Sequence, residues 1–281
     1  MRDYFCGWYI KCQGDFQTIA FIPAYHITGG VKSCSLQVIT EDRSWYAEYS
    51  IDQYHMDKNG VTIGPNVFTN QGCELNIQEP ELTIRGRLTF GEYTPLAYDI
   101  MGPFRYVPFM QCRHSVFSMK HRVDGRLTIN GTEYVFENGD CYIEGDRGSS
   151  FPETYLWTQC CFPKGSVMLS VADIPLCGFH FTGIICAIHH EGREYRLATY
   201  LGARVEKLKK GEVMIRQGRK KLTVRLPVEK GHPLAAPEKG KMTRIIRESA
   251  ASRVYCHFRD GERTIFEFTS HRAAFEYEYP V

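Results

Sequence analysis

Short runs of alternating apolar and polar residues recur from one end of the chain to the other. Leu222, Val224, Leu226 and Val228 are apolar while Thr223 and Arg225 between them are polar, so one face of an extended segment is buried and the other wet. Turn signals separate such runs. Asn130-Gly131 lies between Arg126–Ile129 and Tyr134–Phe136, and Asp260-Gly261 between Val254–Arg259 and Thr264–Thr269. Glu191-Gly192 and Gln217-Gly218 punctuate two further pairs. Steps of this kind suit tight turns between antiparallel strands. The first half repeats the theme in Trp8–Gln13, Thr18–Ile27, Ser33–Thr40, Ser44–Ile51, Leu75–Gln78 and Glu81–Phe90. No long window carries the i, i+3, i+4, i+7 apolar face of a helix. About 18–20 short strands at this spacing predict an all-β sandwich or barrel system, and closure would also protect the strand edges.

Two stretches break the rhythm. Gly91–Arg113 holds Pro95, Gly102, Pro103 and Pro108 among several aromatics. It is the expected boundary between a domain 1–112 and a domain 113–281, too apolar for a free linker and expected to pack between the two. Glu229–Lys241, rich in Gly, Pro, Ala and Lys, reads as a surface loop.

Composition narrows the class. Apolar residues make up 43% and charged residues 23% of the 281, ordinary for a globular protein. The 17 Tyr, 17 Phe and 3 Trp favour strands and apolar pockets. A net charge of +2 gives no global field for nucleic acid, and no nucleic-acid partner is expected. The run Ser166–Ile188 is apolar, but Asp173, Pro175, Gly178 and His180 interrupt it, so it reads as two strands rather than a membrane span. The opening MRDYFCGWYIKCQ is polar and reads as a strand, not a signal segment. The 11 cysteines form no CxxC pairs, so buried thiols in a reducing cytoplasm are the expectation.

The segment Cys141–Phe162, CYIEGDRGSSFPETYLWTQCCF, carries the most chemistry. Glu144 and Asp146 are two apart and share a face if the chain is extended. Tyr155, Trp157 and Gln159 share a face of the strand that follows. A carboxyl beside an apolar cavity keeps its proton and can act as a general acid. The plainer alternative is that the acids decorate a turn and Trp157 is core.

This segment resembles the signature of the tocopherol cyclase family, Y-x-E-K-x-W-G-x-x-F-P-x-x-W-x-W-x-Q-x-N-x-F, through Tyr142, Glu144, Gly148, Phe151, Pro152, Trp157, Gln159 and Phe162. The resemblance extends along the chain. Tyr4 to Lys11 is similar to the family's opening Y-F-E-G-W-Y-F-K, and Ile22-Pro23 follows. Asp99 to Phe104, His114-Ser115-Val116, Ala172 to Pro175 and Glu194 to Tyr200 are similar to bacterial members. The resemblance implies two lipocalin-like antiparallel β-barrels or half-barrels packed together. It also implies a prenylated or polyene ligand in a β-cavity, which plant and cyanobacterial members cyclise by protonating a prenyl double bond. No cofactor and no metal are expected. Similar folds serve hydratases and pericyclases, so the fold does not fix the reaction.

On this reading Glu144 or Asp146 supplies the proton, and Trp8, His114, Tyr142, Tyr155, Trp157 and Gln159 contact the substrate. The alternative is a carrier or sensor of a lipophilic ligand. Four departures bear on that choice: Cys6 replaces the opening Glu, Gly145 a Lys, Arg147 a Trp and Cys161 an Asn. Loss of the Trp would remove a stacking surface.

Other candidates have plain structural readings. Cys160 and Cys161 are adjacent and project to opposite strand faces, which suits neither a chelate nor an ordinary disulfide. His189-His190 reads as an exposed turn, and Asp173 as a bend before Pro175. Lys207, Lys209, Lys210, Arg219, Lys220 and Lys221 crowd one hairpin. Such a run is usually a solvated face, and the functional alternative is peripheral contact with an anionic membrane.

Overall fold

The structure is a computed structural model and describes residues 3–108, 110–176, 178–226 and 231–279. Val228, Glu229 and Lys230, and Cys177 of the apolar run, lie outside the described residues.

Among the described residues twenty-one strands form two antiparallel sheets, as the alternation predicts. The first contains β1 (Tyr4–Gln13), β2 (Thr18–Thr28), β3 (Val31–Thr40), β4 (Ser44–Tyr49), β5 (Tyr54–Asp57) and β6 (Gly60–Ile63). It continues with β7 (Asn66–Thr69), β8 (Gly72–Glu79), β9 (Leu82–Phe90), β10 (Cys112–Ile129) and β11 (Thr132–Gly148). The second contains β12 (Tyr155–Phe162), β13 (Gly165–Leu176), β14 (Phe179–His190), β15 (Arg193–Ala198), β16 (Arg204–Lys209) and β17 (Glu212–Gln217). After β18 (Lys220–Arg225) comes β19 (His232–Glu238), which pairs with β20 outside the main path, and then β20 (Lys241–Asp260) and β21 (Arg263–Tyr277).

The first sheet runs β4-β3-β2-β1-β11-β10-β9-β8-β7-β6-β5, and the second β15-β14-β13-β12-β21-β20-β18-β17-β16. Each is a pair of meanders joined where its first strand pairs with its last, β1 with β11 and β12 with β21. The expected turns appear: Asn130 and Gly131 both have positive φ (48° and 83°), as do Glu191 and Gly192 (49° and 75°). That geometry matches the twist of the strands it joins. The first sheet curls on itself, since Asn66 on β7 donates to the Tyr49 hydroxyl on β4 at 3.1 Å. The second does likewise, the Gln217 side chain of β17 accepting from the Ala198 N–H of β15 at 3.0 Å.

The chain forms two compact units, which are not the contiguous halves 1–112 and 113–281. The first comprises Met1–Pro95, Cys112–Phe151 and His232–Ile245; the second Leu96–Gln111, Pro152–Gly231 and Ile246–Val281. The boundary moves because β10 and β11 hydrogen-bond to β9 and β1, which places Cys112–Phe151 with the N-terminal strands. Part of the Pro-rich segment is pinned within the second unit. Arg196 donates to the Tyr98 carbonyl at 2.6 Å and lies over the Tyr98 ring, and the Tyr200 hydroxyl donates to the Ile100 carbonyl at 3.0 Å.

Three local expectations change. The presumed loop 229–241 contains β19, in which Leu234 and Ala236 are buried. Its Ala235 is held at both backbone groups by the Gln37 side chain, at 2.8 and 2.9 Å. His189 and His190 are the last residues of β14; His189 lies 3.2 Å from Glu194, and His190 packs against both Phe162 and Phe266. Asp173 makes no bend, because β13 continues through Pro175. Its carboxylate meets the His180 ring nitrogen at 2.7 Å across the hairpin.

Each sheet packs an apolar cluster on one face. The first unit gathers Ile10, Phe21, Leu36, Phe68, Ile84, Leu127 and Ile143 with others, and the second Leu156, Leu169, Ile188, Ile215, Val224 and Phe258. Each such side chain contributes about 1.5–3 kcal/mol by leaving water. Among the described residues no helix is long and apolar enough to cross a membrane.

Candidate active site

Strand alternation gives the first sheet a second face, and its residues differ in kind from the apolar cluster. On β11, Cys141 and Ile143 enter that cluster, so Tyr142, Glu144 and Asp146 point the other way. Opposite them on β1 stand Lys11, Tyr9 and Gly7 respectively. This face is buried as well: Tyr142 is 0%, Lys11 1% and Glu144 4% exposed, so the acids do not decorate a turn.

β10 completes the group. His114 is the cross-strand partner of Asp146, and a bulge at Phe117 interrupts the ladder just beyond. Its Nδ1 lies 2.9 Å from Asp146 Oδ1, and its Nε2 3.2 Å from Glu144 Oε2. The Nε2 contact is close but not aligned as a hydrogen bond. The Tyr142 hydroxyl donates to Glu144 Oε2, and the Cys112 thiol to Asp146 Oδ1 at 3.5 Å. One imidazole therefore stands between two carboxyls, with a phenol behind one and a thiol behind the other. Exposure grades along the series, the Glu144 side chain being 5% and that of Asp146 20% exposed.

The electrostatics favour retention of protons. Burial pushes Glu144 above the usual carboxyl range, against the opposing effect of His114. Burial alone would lower His114, but the charges of Glu144 and Asp146 outweigh it and hold the imidazole well above its ordinary value. Burial, and then the Asp146 charge, push the Cys112 thiol up.

Donor atoms of His114, Glu144 and Asp146 all lie within 4.8 Å of one another, the spacing a metal ion needs. The two carboxyls, however, address opposite nitrogens of one ring. An ion would reach His114 Nε2 and Glu144, with Asp146 orienting the ring from behind. The arrangement suits a chain of proton carriers better than a converging chelate.

Trp8 is not on this face. It is paired with Gly145, packs against the apolar cluster and lies beside Phe117, ring centroids 5.8 Å apart. Cys6, opposite Arg147, shares that orientation, and Arg147 is exposed. Three of the four signature departures, Cys6, Gly145 and Arg147, therefore point away from Glu144.

Tyr155, Trp157 and Gln159 belong to the second unit, on the face of β12 opposite its apolar cluster. All three are buried. Trp157, Glu276 and Glu248 stand in one row across β12, β21 and β20, and the Tyr155 hydroxyl donates to Glu276. The fourth departure lies here, Cys161 accepting from the Gln159 amide at 3.3 Å. Lys11, Glu248 and Glu276 were not singled out from the sequence. The available signal was a charged residue within a buried alternating run, as in Phe275-Glu276-Tyr277.

The basic hairpin of the second unit is partly neutralised. Lys207 pairs with Glu212, Lys221 with Glu206 at 2.5 Å, and Arg219 with Asp260 at 3.6 Å.

Two curled antiparallel sheets with buried polar faces define a lipocalin-like all-β protein. The sequence matches the tocopherol cyclase-like family over residues 67–277, and the chain belongs to that family. Three solved structures share the fold. An AttH protein of Nitrosomonas europaea has 8% identity and a TM-score of 0.63, covering 100% of this chain and 93% of its own. CghA bound to Sch210972 has 12% identity and a TM-score of 0.62, covering 98% and 88%. Kievitone hydratase of Nectria haematococca has 9% identity and a TM-score of 0.54, covering 98% and 89%. No curated protein matches the sequence.

Proposed function

We propose that the protein is an enzyme of the cyclase or hydratase type, acting on a hydrophobic prenylated or polyene compound by protonating a carbon–carbon double bond. The observation that carries this reading is the burial of Glu144 between the Tyr142 hydroxyl and His114. A buried carboxyl held protonated is the acid that protonation of an alkene requires. Glu144 gives the proton, His114 supplies its replacement, and Asp146 holds the His114 ring with Nε2 toward Glu144. Of the two acids named from the sequence, Glu144 lies at the drier end and is the donor. Family membership supports the class of ligand, and the hydratase among the fold neighbours supports the class of reaction.

Native mass spectrometry of the purified protein identifies any lipophilic compound carried with it. That compound, or failing one a prenylated hydroquinone and a linear polyene, is then incubated in deuterated water. Wild type places deuterium on the carbon that was protonated. Glu144→Gln retains binding and loses turnover by a factor of about 10²–10⁴, the usual contribution of a positioned acid. Equal turnover in the variant removes Glu144 from the mechanism, and binding without turnover in wild type makes the protein a carrier.

A further inference from the structure

The apolar face of the first unit contains a row of groups that the acid site does not use. Cys12 on β1 and Cys141 on β11 are directly opposed, both 0% exposed, and the Cys12 thiol donates to Cys141 Sγ at 3.3 Å. Directly opposed residues of antiparallel strands have Cα atoms about 4.5–5.5 Å apart, inside the about 4.4–6.8 Å that a disulfide spans. His121 extends the row as the partner of Cys141 on β10. Its Nδ1 is hydrogen-bonded with Ser118 Oγ at 2.9 Å, and its buried Nε2 has no hydrogen-bond partner among the described residues. Cys73 belongs to the same buried apolar cluster as Cys12 and Cys141. No described cysteine is disulfide-bonded.

We propose that Cys12 and Cys141 are an oxidisable dithiol that closes to a disulfide between β1 and β11, making this row a redox modification site. The oxidant is a hydroperoxide, small enough to enter during local opening of the sheet. One thiol loses its proton to water admitted by the same opening, and the thiolate attacks one oxygen of hydrogen peroxide, giving a sulfenic acid and releasing the other oxygen, once protonated, as water. The second sulfur then attacks the sulfenic sulfur and expels a second water. Two thiols and one hydrogen peroxide become one disulfide and two waters, and two electrons pass from sulfur to oxygen. The bond would join residues 129 apart in sequence, and Tyr142 is the neighbour of Cys141 on the strand that carries Glu144. The proposal is independent of the acid chemistry.

The test is peroxide treatment of the folded full chain, quenching, alkylation in denaturant, digestion and mass spectrometry. A cross-linked peptide pair containing Cys12 and Cys141, lighter by two hydrogens and lost after dithiothreitol, is expected, together with a raised urea midpoint. Cys12→Ser and Cys141→Ser lack the pair and the shift, whereas Cys73→Ser keeps both. Cys12→Ala and Cys141→Ala serve if a serine is not tolerated. Cys12 and Cys141 recovered as separate alkylated or sulfinic forms, or cross-linked only to other cysteines, overturn the proposal.

Discussion

The ring of Phe117 occupies the space beside Gly145: a Cβ at Gly145 would lie 2.8 Å from the ring, 3.2 Å from the Gly7 carbonyl oxygen and 3.3 Å from Trp8. The lysine of the family signature and this phenylalanine exclude one another unless something shifts. A side chain at position 145 would stand on the face away from Glu144, so the absence of that lysine leaves the Tyr142–Glu144–His114–Asp146 group unaltered. Gly145→Lys is expected to cost about 1–3 kcal/mol of stability through overpacking. Combining it with Phe117→Ala should recover part of that loss. Urea denaturation of the two single variants and the double variant measures the coupling, and strict additivity would remove Phe117 as the cause.

The two buried tyrosine–carboxyl pairs give a matched comparison. Tyr142→Phe strips a donor from Glu144, and Tyr155→Phe strips one from Glu276. Each is expected to cost about 1–3 kcal/mol, the range for a buried polar group losing its partner. Only Tyr142→Phe should alter the pH profile of turnover, because only Glu144 is assigned the proton transfer. If both variants shift that profile equally, the assignment is wrong.

In the proposed mechanism Asp146 acts through His114, 2.9 Å away. With Glu144 protonated, Asp146 is the carboxylate that holds the imidazole up, so its removal should move the His114 titration downward. Nitrogen-15 NMR of the histidines in Asp146→Asn reads this directly. An unmoved His114 signal would show that Glu144 alone sets its protonation.

Acid should destabilise the fold through two other histidines. Burial lowers both His26 and His121 from 6.5 to about 4. Between these values the unfolded chain binds the proton and the folded chain does not. Their stabilising effect is therefore complete above pH 6.5 and is lost as pH falls toward 4. Each shift corresponds to roughly 3 kcal/mol once both states are protonated. The urea midpoint of wild type should fall over this window, and that of His121→Gln should fall less. Parallel curves would exclude His121 as a contributor.

How much was legible in the chain follows from what each feature depends on. Alternation and turn residues are local, so the strands and the hairpins at Asn130-Gly131 and Glu191-Gly192 could be read directly. The polar set Tyr142, Glu144 and Asp146 was legible because strand residues two apart share a face. The partnership of His114 with both acids was not, since it depends on the register of β10 against β11. The orientation of Trp8 was not legible for a related reason: its face follows from pairing with Gly145 rather than with Glu144. β19 was hidden by composition, because Pro233, Ala235, Ala236 and Pro237 look like a loop until Gln37 captures Ala235.

The order in which the chain visits the two units has a consequence for its synthesis. The first unit lacks its last segment until Ile245 is made, and the second begins at Leu96 but ends with β21. The first sheet has all its strands once Gly148 is made and its unit then lacks only the segment from His232 to Ile245, whereas the second sheet cannot pair β12 with β21 until the end of the second unit is translated. Strands β12 to β18 must wait as partial sheets with open edges until β20 and β21 are made, so ribosome-bound chains truncated before residue 232 should depend heavily on chaperones.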